Sequence, residues 1–277
     1  MNFRVTYTEA SSSEISEDRL RLGNPYAHID GSGGFSALSN RSYIKNVQKK
    51  KRYSIDDIEL RARNLQKSIW QHRKQIWPDT TPSNPIEILD PAVALNFIGY
   101  DCDIEETLGQ FRSNGKLIEV AGTIDMRSKQ VHISRQFTRD ICSFTAAHEL
   151  GHAMLHEAVA LHRDRPLNGA SISRDAIEFE ADKFATFFLM PQKLVQDTFK
   201  RFFLTEKFSL DETTAFALGL GDFQAVKNKF KTLRQLSKLL ASTEHYNGTR
   251  FISLANQFRV STEAMAIRLE ELELLEI

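Results

Sequence analysis

The five residues His148-Glu149-Leu150-Gly151-His152 constrain this chain more than any other stretch. The two histidines are four apart, and on a helix that puts both on one face, one turn from each other. Ile141, Phe144, Thr145, Ala147 and Leu155 surround them without a proline, so residues 138–157 read as one long, mostly buried helix. Two imidazoles aimed from such a helix at one point suit a metal ion. A catalytic zinc takes three protein ligands and keeps one position for water. Glu149 stands beside the first histidine, where a carboxylate can take a proton from metal-bound water. The competing reading is a helix with two ordinary histidines, and the rest of the chain has to decide between them.

A third ligand has two common sources. A further histidine on the same run needs Gly two residues and His six residues past His152, but Met154 and Ala158 stand there. The other source is a glutamate on a second helix. Ile177, Ala181, Phe184, Ala185 and Phe188 form an apolar stripe at helical spacing. Glu178 and Asp182 flank it one turn apart, so Glu178 can ligate while Asp182 hydrogen-bonds the far nitrogen of a ligand histidine. Glu180 is turned about 200° away, at about 100° per residue. Glu178 is the preferred third ligand and Glu180 the alternative. His156 also follows His152 by one turn. Three ligands along one straight helix would span about 12 Å, too far for bonds of about 2 Å from each. His156 is therefore expected to pack or to face substrate.

In order and spacing, Phe144-Thr145-Ala146-Ala147-His148-Glu149-Leu150-Gly151-His152, Leu155-His156, Glu178-Phe179-Glu180-Ala181-Asp182-Lys183-Phe184-Ala185 and Leu189-Met190-Pro191 resemble the ImmA/IrrE family of metallopeptidases. The likeness covers residues 85–200 and, more weakly, the C-terminal end. It does not cover the first 80 residues or the stretch 205–247. The resemblance implies one Zn2+ per chain on His148, His152 and Glu178, with Glu149 as the catalytic base. It further implies an endopeptidase whose protein substrate is a helix-turn-helix transcriptional repressor, cut in a mobile-element or stress response.

Composition bounds the alternatives. The chain has 277 residues, 41% of them hydrophobic, and a formal net charge of zero. That balance offers no global argument for nucleic acid or membrane surfaces. Cys102 and Cys142 are the two cysteines. They show no paired spacing, which suits a reducing compartment and not a disulfide framework. Cys142 falls nearly opposite His148 on the helix and reads as packing. The N-terminus runs into polar Ser11-Ser12-Ser13-Glu14 and no stretch is long and apolar enough for a membrane span, so a cytoplasmic protein is expected. Nothing in the sequence sets an oligomeric state.

Taken in order, the chain is expected to divide into a poorly structured arm (1–53), an amphipathic helix and linker (54–84), a domain that the resemblance makes a zinc metallopeptidase (85–203) and a helical C-terminal region (204–277). The fold class is α+β: a mainly helical peptidase domain with a small β-sheet, followed by helices. The arm holds Gly31-Ser32-Gly33-Gly34 and a basic run, Lys49-Lys50-Lys51-Arg52, that reads as a solvated linker cluster. Ser54 with Asp57 resembles a capping box. Ile55, Ile58, Ala62, Leu65 and Ile69 then give one apolar face, and Pro78 stops the helix. Pro82-Ser83-Asn84-Pro85 reads as a boundary. Asp90-Pro91 opens a short helix closed by Gly99. Residues 116–124 and 130–134 read as a hairpin that either holds substrate at its edge as an added strand or is purely structural, and Gly122 marks close approach of a second backbone.

Residues 162–170 read as a polar loop, with His162 a weak candidate donor to the transition state. A second site helix spans 174–190 and ends at Pro191. Phe199, Phe202, Phe203 and Phe208 read as core, Leu218-Gly219-Leu220-Gly221 as a turn, and residues 223–240 as one amphipathic helix. Residues 254–269 resemble a helix-turn-helix pair with Ser261 capping the second helix. That helix offers Arg268 among Glu263, Glu270 and Glu271, so packing or protein docking is favoured over DNA contact.

Two rivals to the peptidase remain. One is a zinc-containing regulatory binding module without peptidase activity, against which the intact Glu149 argues. The other is a DNA-binding regulator acting through the C-terminal tail, which would show salt-dependent DNA binding.

Overall fold

The computed structural model describes residues 52–113, 116–156, 162–163, 176–221 and 223–276. The expectations for residues 1–51 and for most of the loop at 162–170 lie outside the described residues. The chain divides into two compact units, Met1–Leu189 and Met190–Ile277. The division falls directly after the second site helix, and the amphipathic helix, whose packing the sequence left open, belongs to the first unit.

That helix, α1 (Ile55–Ile76), begins with the capping box: the Ser54 and Asp57 side chains each accept from the other's backbone N–H. Ile58, Ala62, Leu65 and Ile69 are fully buried. It ends at Trp77, since the residue before Pro78 is pushed out of the α region. Its buried face packs on α4 (Ala176–Leu189). There the Gln66 amide donates to the carbonyls of Phe187 and Phe188, 2.9 Å each, two of the α4 C-terminal carbonyls that no helix bond can use. The expected boundary at residues 82–85 instead starts a 3-10 turn, Pro85–Ile88, capped by Asn84. Asp90 caps α2 (Pro91–Phe97) by accepting from the N–H groups of Ala92 and Val93.

A four-stranded sheet follows in the order β1 (Asp101–Glu105), β5 (Gln130–Ser134), β4 (Gly122–Asp125), β6 (His162–Arg163). β1 runs parallel to β5; β4 is antiparallel to β5 and to β6. A separate ribbon joins β2 (Gln110–Ser113) to β3 (Lys116–Glu119). The single strand expected over 116–124 is thus two strands in two sheets. The reason lies at Val120 and Ala121, 3% and 2% exposed. Neighbouring strand residues point to opposite faces, so two consecutive buried residues mark the place where the chain leaves one sheet for the other. The hairpin edge expected to take substrate is also covered: β6 pairs with β4 through Thr123↔Arg163 and Ile124↔His162. Behind the sheet lies α3 (Arg139–Leu155), packed on α2, β4, β5 and, most extensively, α4.

The second unit comprises α5 (Gln192–Phe203), β7 (Phe208–Ser209), α6 (Glu212–Ala217), α7 (Phe223–Lys229), α8 (Leu233–Ser242), the β8–β9 hairpin (His245–Tyr246, Thr249–Arg250), α9 (Leu254–Gln257), α10 (Thr262–Glu271) and β10 (Leu275–Glu276), which pairs parallel with β7. The expected phenylalanine core is present. Phe203 sits between Phe208 and Tyr246, with ring centroids 5.8 and 5.4 Å away. The one helix expected over 223–240 is two, because Thr232 and Gln235 form a new capping box and start α8 afresh. Gly219, at φ +69°, makes the expected turn. Ser261 caps α10 by accepting from Ala264 N–H at 3.1 Å. Arg268 is buried, and its Nε donates to the Met190 carbonyl at 3.1 Å. Among the described residues no helix is long and apolar enough to cross a membrane.

Candidate metal centre

The site begins where α3 and α4 touch. A Cβ on Gly151 would lie 2.9 Å from the Ala181 carbonyl oxygen and 3.0 Å from its Cα, closer than packed atoms tolerate. Only glycine lets the two backbones approach this far, and the approach sets the histidine face of α3 opposite the first turn of α4. Thr145 through His152 are buried without interruption. This explains why that stretch carries so little polar alternation.

His148 and His152 turn their Nε2 atoms to within 2.9 Å of each other. The carboxylate of Glu178 closes the third side, with Oε2 3.3 Å from His148 Nε2 and Oε1 3.6 Å from His152 Nε2. All three groups offer ligand atoms within 4.8 Å of one another. The histidines are 4% and 1% exposed and the Glu178 side chain 32%, so the group opens to solvent on the α4 side. A tetrahedral zinc with bonds of about 2.0–2.1 Å separates its ligand atoms by about 3.3 Å. The observed 2.9–3.6 Å brackets that separation, and the donor set of two imidazoles and a carboxylate is one that zinc takes. The residues fit the ion.

The far nitrogens are held as well. His148 Nδ1 lies 2.9 Å from Asp182 Oδ1. A carboxylate can only accept, so the proton sits on Nδ1 and the Nε2 lone pair faces the convergence point. Asp182 thus stands where the helical spacing placed it. His152 Nδ1 lies 3.0 Å from His156 Nδ1, and His156 Nε2 lies 3.2 Å from Glu180 Oε2. Glu180 Oε1 accepts in turn from Tyr53 N–H at 3.0 Å. Glu180 is therefore committed to His156, away from the cluster, and Glu178 is the carboxylate brought to the histidines. Sequence reading found His156 and Glu180 separately but not their pairing. The available signal was two polar residues on buried helix faces, each next to a close-packed position. Tyr53 contributes through its backbone N–H, which leaves no signal in the sequence.

Residues 104–209 match the Peptidase_M78 family, described as the IrrE N-terminal-like domain. The chain carries an IrrE N-terminal-like domain. No curated protein matches the chain. The matched segment contains α3, α4 and all the residues of the cluster, and it agrees with the ImmA/IrrE resemblance read from the sequence motifs. It starts beyond α1, so Tyr53 lies outside the IrrE N-terminal-like domain and still reaches its polar network.

Glu149 is fully buried on the same helix. Strand β4 lies directly against it: a Cβ on Gly122 would be 3.1 Å from Glu149 Oε1 and 2.5 Å from Thr145 Cγ2. The close approach expected at Gly122 is thus made by side chains of α3, not by a second backbone. Neither cysteine joins the site. Burial pushes the Cys102 thiol far up, reinforced by Asp90, Asp103, Glu149 and Asp101, and burial also raises Cys142, whose Sγ faces the Ser134 carbonyl. His162 pairs through its backbone in β6; its expected role as a donor lies outside the described residues.

Proposed function

We propose that this protein is a zinc-dependent endopeptidase. The observation that carries the reading is the convergence of His148 Nε2, His152 Nε2 and the Glu178 carboxylate, one residue from the buried Glu149. His148, His152 and Glu178 would hold one Zn2+. Bound there, the ion supplies Lewis acidity toward a peptide carbonyl and lowers the pKa of a water. Glu149, buried beside His148, would serve as the base that takes up a proton on its carboxylate and passes it to a leaving amine. Asp182 holds the His148 ring in the ligating tautomer. Through the IrrE-like domain, the proposed substrate is a helix-turn-helix transcriptional repressor and the proposed compartment the cytosol.

The test is metal content and cleavage together. The expected result is about one zinc per chain in the wild type and in Glu149→Gln, with strong loss in His148→Ala and Glu178→Ala. Wild-type protein incubated with cellular extract should generate new protein N-termini that Glu149→Gln does not. A metal-loaded wild type that cuts nothing the Glu149→Gln variant spares would move the regulatory binding module ahead. Metal kept by Glu178→Ala would overturn the ligand assignment.

A further inference from the structure

The two histidines of the cluster are held in different ways. His148 Nδ1 meets a carboxylate directly, Asp182 at 2.9 Å. His152 Nδ1 meets another imidazole, His156 Nδ1 at 3.0 Å, which in a hydrogen bond requires one ring to donate and the other to accept. Which one does so is decided at the far end. His156 Nε2 lies 3.2 Å from Glu180 Oε2, with both side chains only 7% exposed. Glu180 already accepts from Tyr53 N–H through its other oxygen at 3.0 Å. A carboxylate offers no proton, so His156 carries its hydrogen on Nε2. A neutral imidazole then has its lone pair on Nδ1, and His152 must donate to it. That leaves the His152 Nε2 lone pair pointing at the Nε2 of His148 and at Glu178.

We propose that His156 and Glu180, anchored by the Tyr53 backbone, are positioning residues that set the tautomer and ring angle of His152 for metal binding. The inference rests on the metal reading above. Packing alone does not account for the pair: a phenylalanine would fill the space of His156 at the end of α3, and a buried carboxylate is costly unless its hydrogen bonds are made. The His156 backbone is held at the helix end, where its N–H closes the last turn onto the His152 carbonyl at 3.0 Å. Its centroid lies 5.1 Å from that of His152 at an interplanar angle of 52°. The chain reads carboxylate, imidazole, imidazole, and it couples the N-terminal end of α1 to the centre. The family match covers residues 104–209, so the Tyr53 N–H that reaches Glu180 comes from outside it.

The test uses the full chain and two readouts besides cleavage: Zn2+ affinity from chelator competition, and the d–d absorption of the Co2+-loaded protein. His156→Phe, which keeps the ring shape and removes both nitrogens, should weaken metal binding by about 10–100-fold and change the Co2+ spectrum. His156→Asn, whose Oδ1 stands in for the accepting nitrogen, should recover most of that loss. Tyr53→Pro, which removes the N–H, should weaken binding more than Tyr53→Ala, which keeps it. Wild-type affinity in His156→Phe overturns the proposal. So does His156→Asn binding as poorly as His156→Phe while both unfold at the wild-type temperature. If the wild type takes up no metal, the metal reading fails by itself, and imidazole 15N shifts of the metal-free protein test the relay. His152 should then be protonated on Nδ1 in the wild type and lose that preference in His156→Phe; the same tautomer in both would overturn it.

Discussion

The α8–α10 pair and the α3–α4 pair are both joined by polar side chains, and they use them in opposite ways. In the second unit α8 and α10 are tied by Arg234. It donates from Nε and Nη2 to Glu270 at 2.7 and 2.8 Å, and from Nη1 to Glu263 at 2.6 Å. Lys238 closes on Glu263, and Ser237 donates to Glu270. Cations meet carboxylates, the charge cancels locally, and the Arg234, Lys238 and Glu263 side chains stay 41–48% exposed. In the first unit the groups joining α3 to α4 at the cluster are all electron-pair donors, and the two histidines are almost wholly buried. A surface network that balances itself is a structural tie of modest worth. A buried set of like donors aimed at one point is costly unless something binds there.

Breaking the chemistry while leaving the donors intact should produce the largest effect. Glu149→Gln removes the proposed base and no ligand. Its cleavage rate at equal metal content should fall by about 10²–10⁴-fold, with thermal unfolding unchanged. A rate within a few-fold of wild type would take Glu149 out of the mechanism. The next effect should come from forcing the helices apart. Gly151→Ala places a methyl 2.9 Å from the Ala181 carbonyl oxygen, and overpacking of this kind costs about 1–3 kcal/mol. Because the same contact holds Glu178 against the histidines, denaturant stability and metal affinity should fall together. Lost stability with unchanged affinity would show that the cluster tolerates a wider crossing.

Gly122 allows a sharper cut between stability and chemistry. A methyl there meets Thr145 Cγ2 at 2.5 Å and Glu149 Oε1 at 3.1 Å, nearer than any of the three donors. Gly122→Ala should therefore lower cleavage by about tenfold or more, the change of about 1.4 kcal/mol in barrier that a small displacement of a catalytic group produces, while zinc content holds. Adding Thr145→Ser removes the clashing methyl and should return part of the rate. No return would place the damage elsewhere in β4.

These glycines mark where sequence reading stopped. The donors His148, His152 and Glu178 and the partner Asp182 were legible because helical periodicity converts spacing into direction, and the caps at Ser54, Asp90 and Ser261 because they are local. Gly151 and Gly122 read as a motif letter and a strand interruption; their reasons lie across the fold, in Ala181 and Thr145. β1 and β2 were missed because their partners are distant or in a short ribbon. The breaks at Val120 and Thr232 needed knowledge of which faces are buried. The pairing of His156 with Glu180 joins two helices and needed both placed at once.

The smallest expected effect belongs to the balanced pair. The Arg234 guanidinium holds the Glu270 carboxyl below its usual range, and Lys238, with Arg234, does the same for Glu263. A carboxyl whose folded pKa is depressed adds stability above the unfolded value of about 4.3. It loses that contribution as pH falls through the lower folded pKa. Arg234→Met keeps the length of the side chain and removes the charge. At neutral pH it should cost less than about 1 kcal/mol, since half-exposed ion pairs are screened by solvent, and the difference from wild type should shrink further in high salt. In acid the two proteins should converge, because the wild type gives up what the variant never had. Urea unfolding across pH and salt reads this directly. A loss of several kcal/mol that salt leaves untouched would mean that Arg234 acts by packing its stem between α8 and α10, and the self-balancing network would no longer be the contrast to the metal centre.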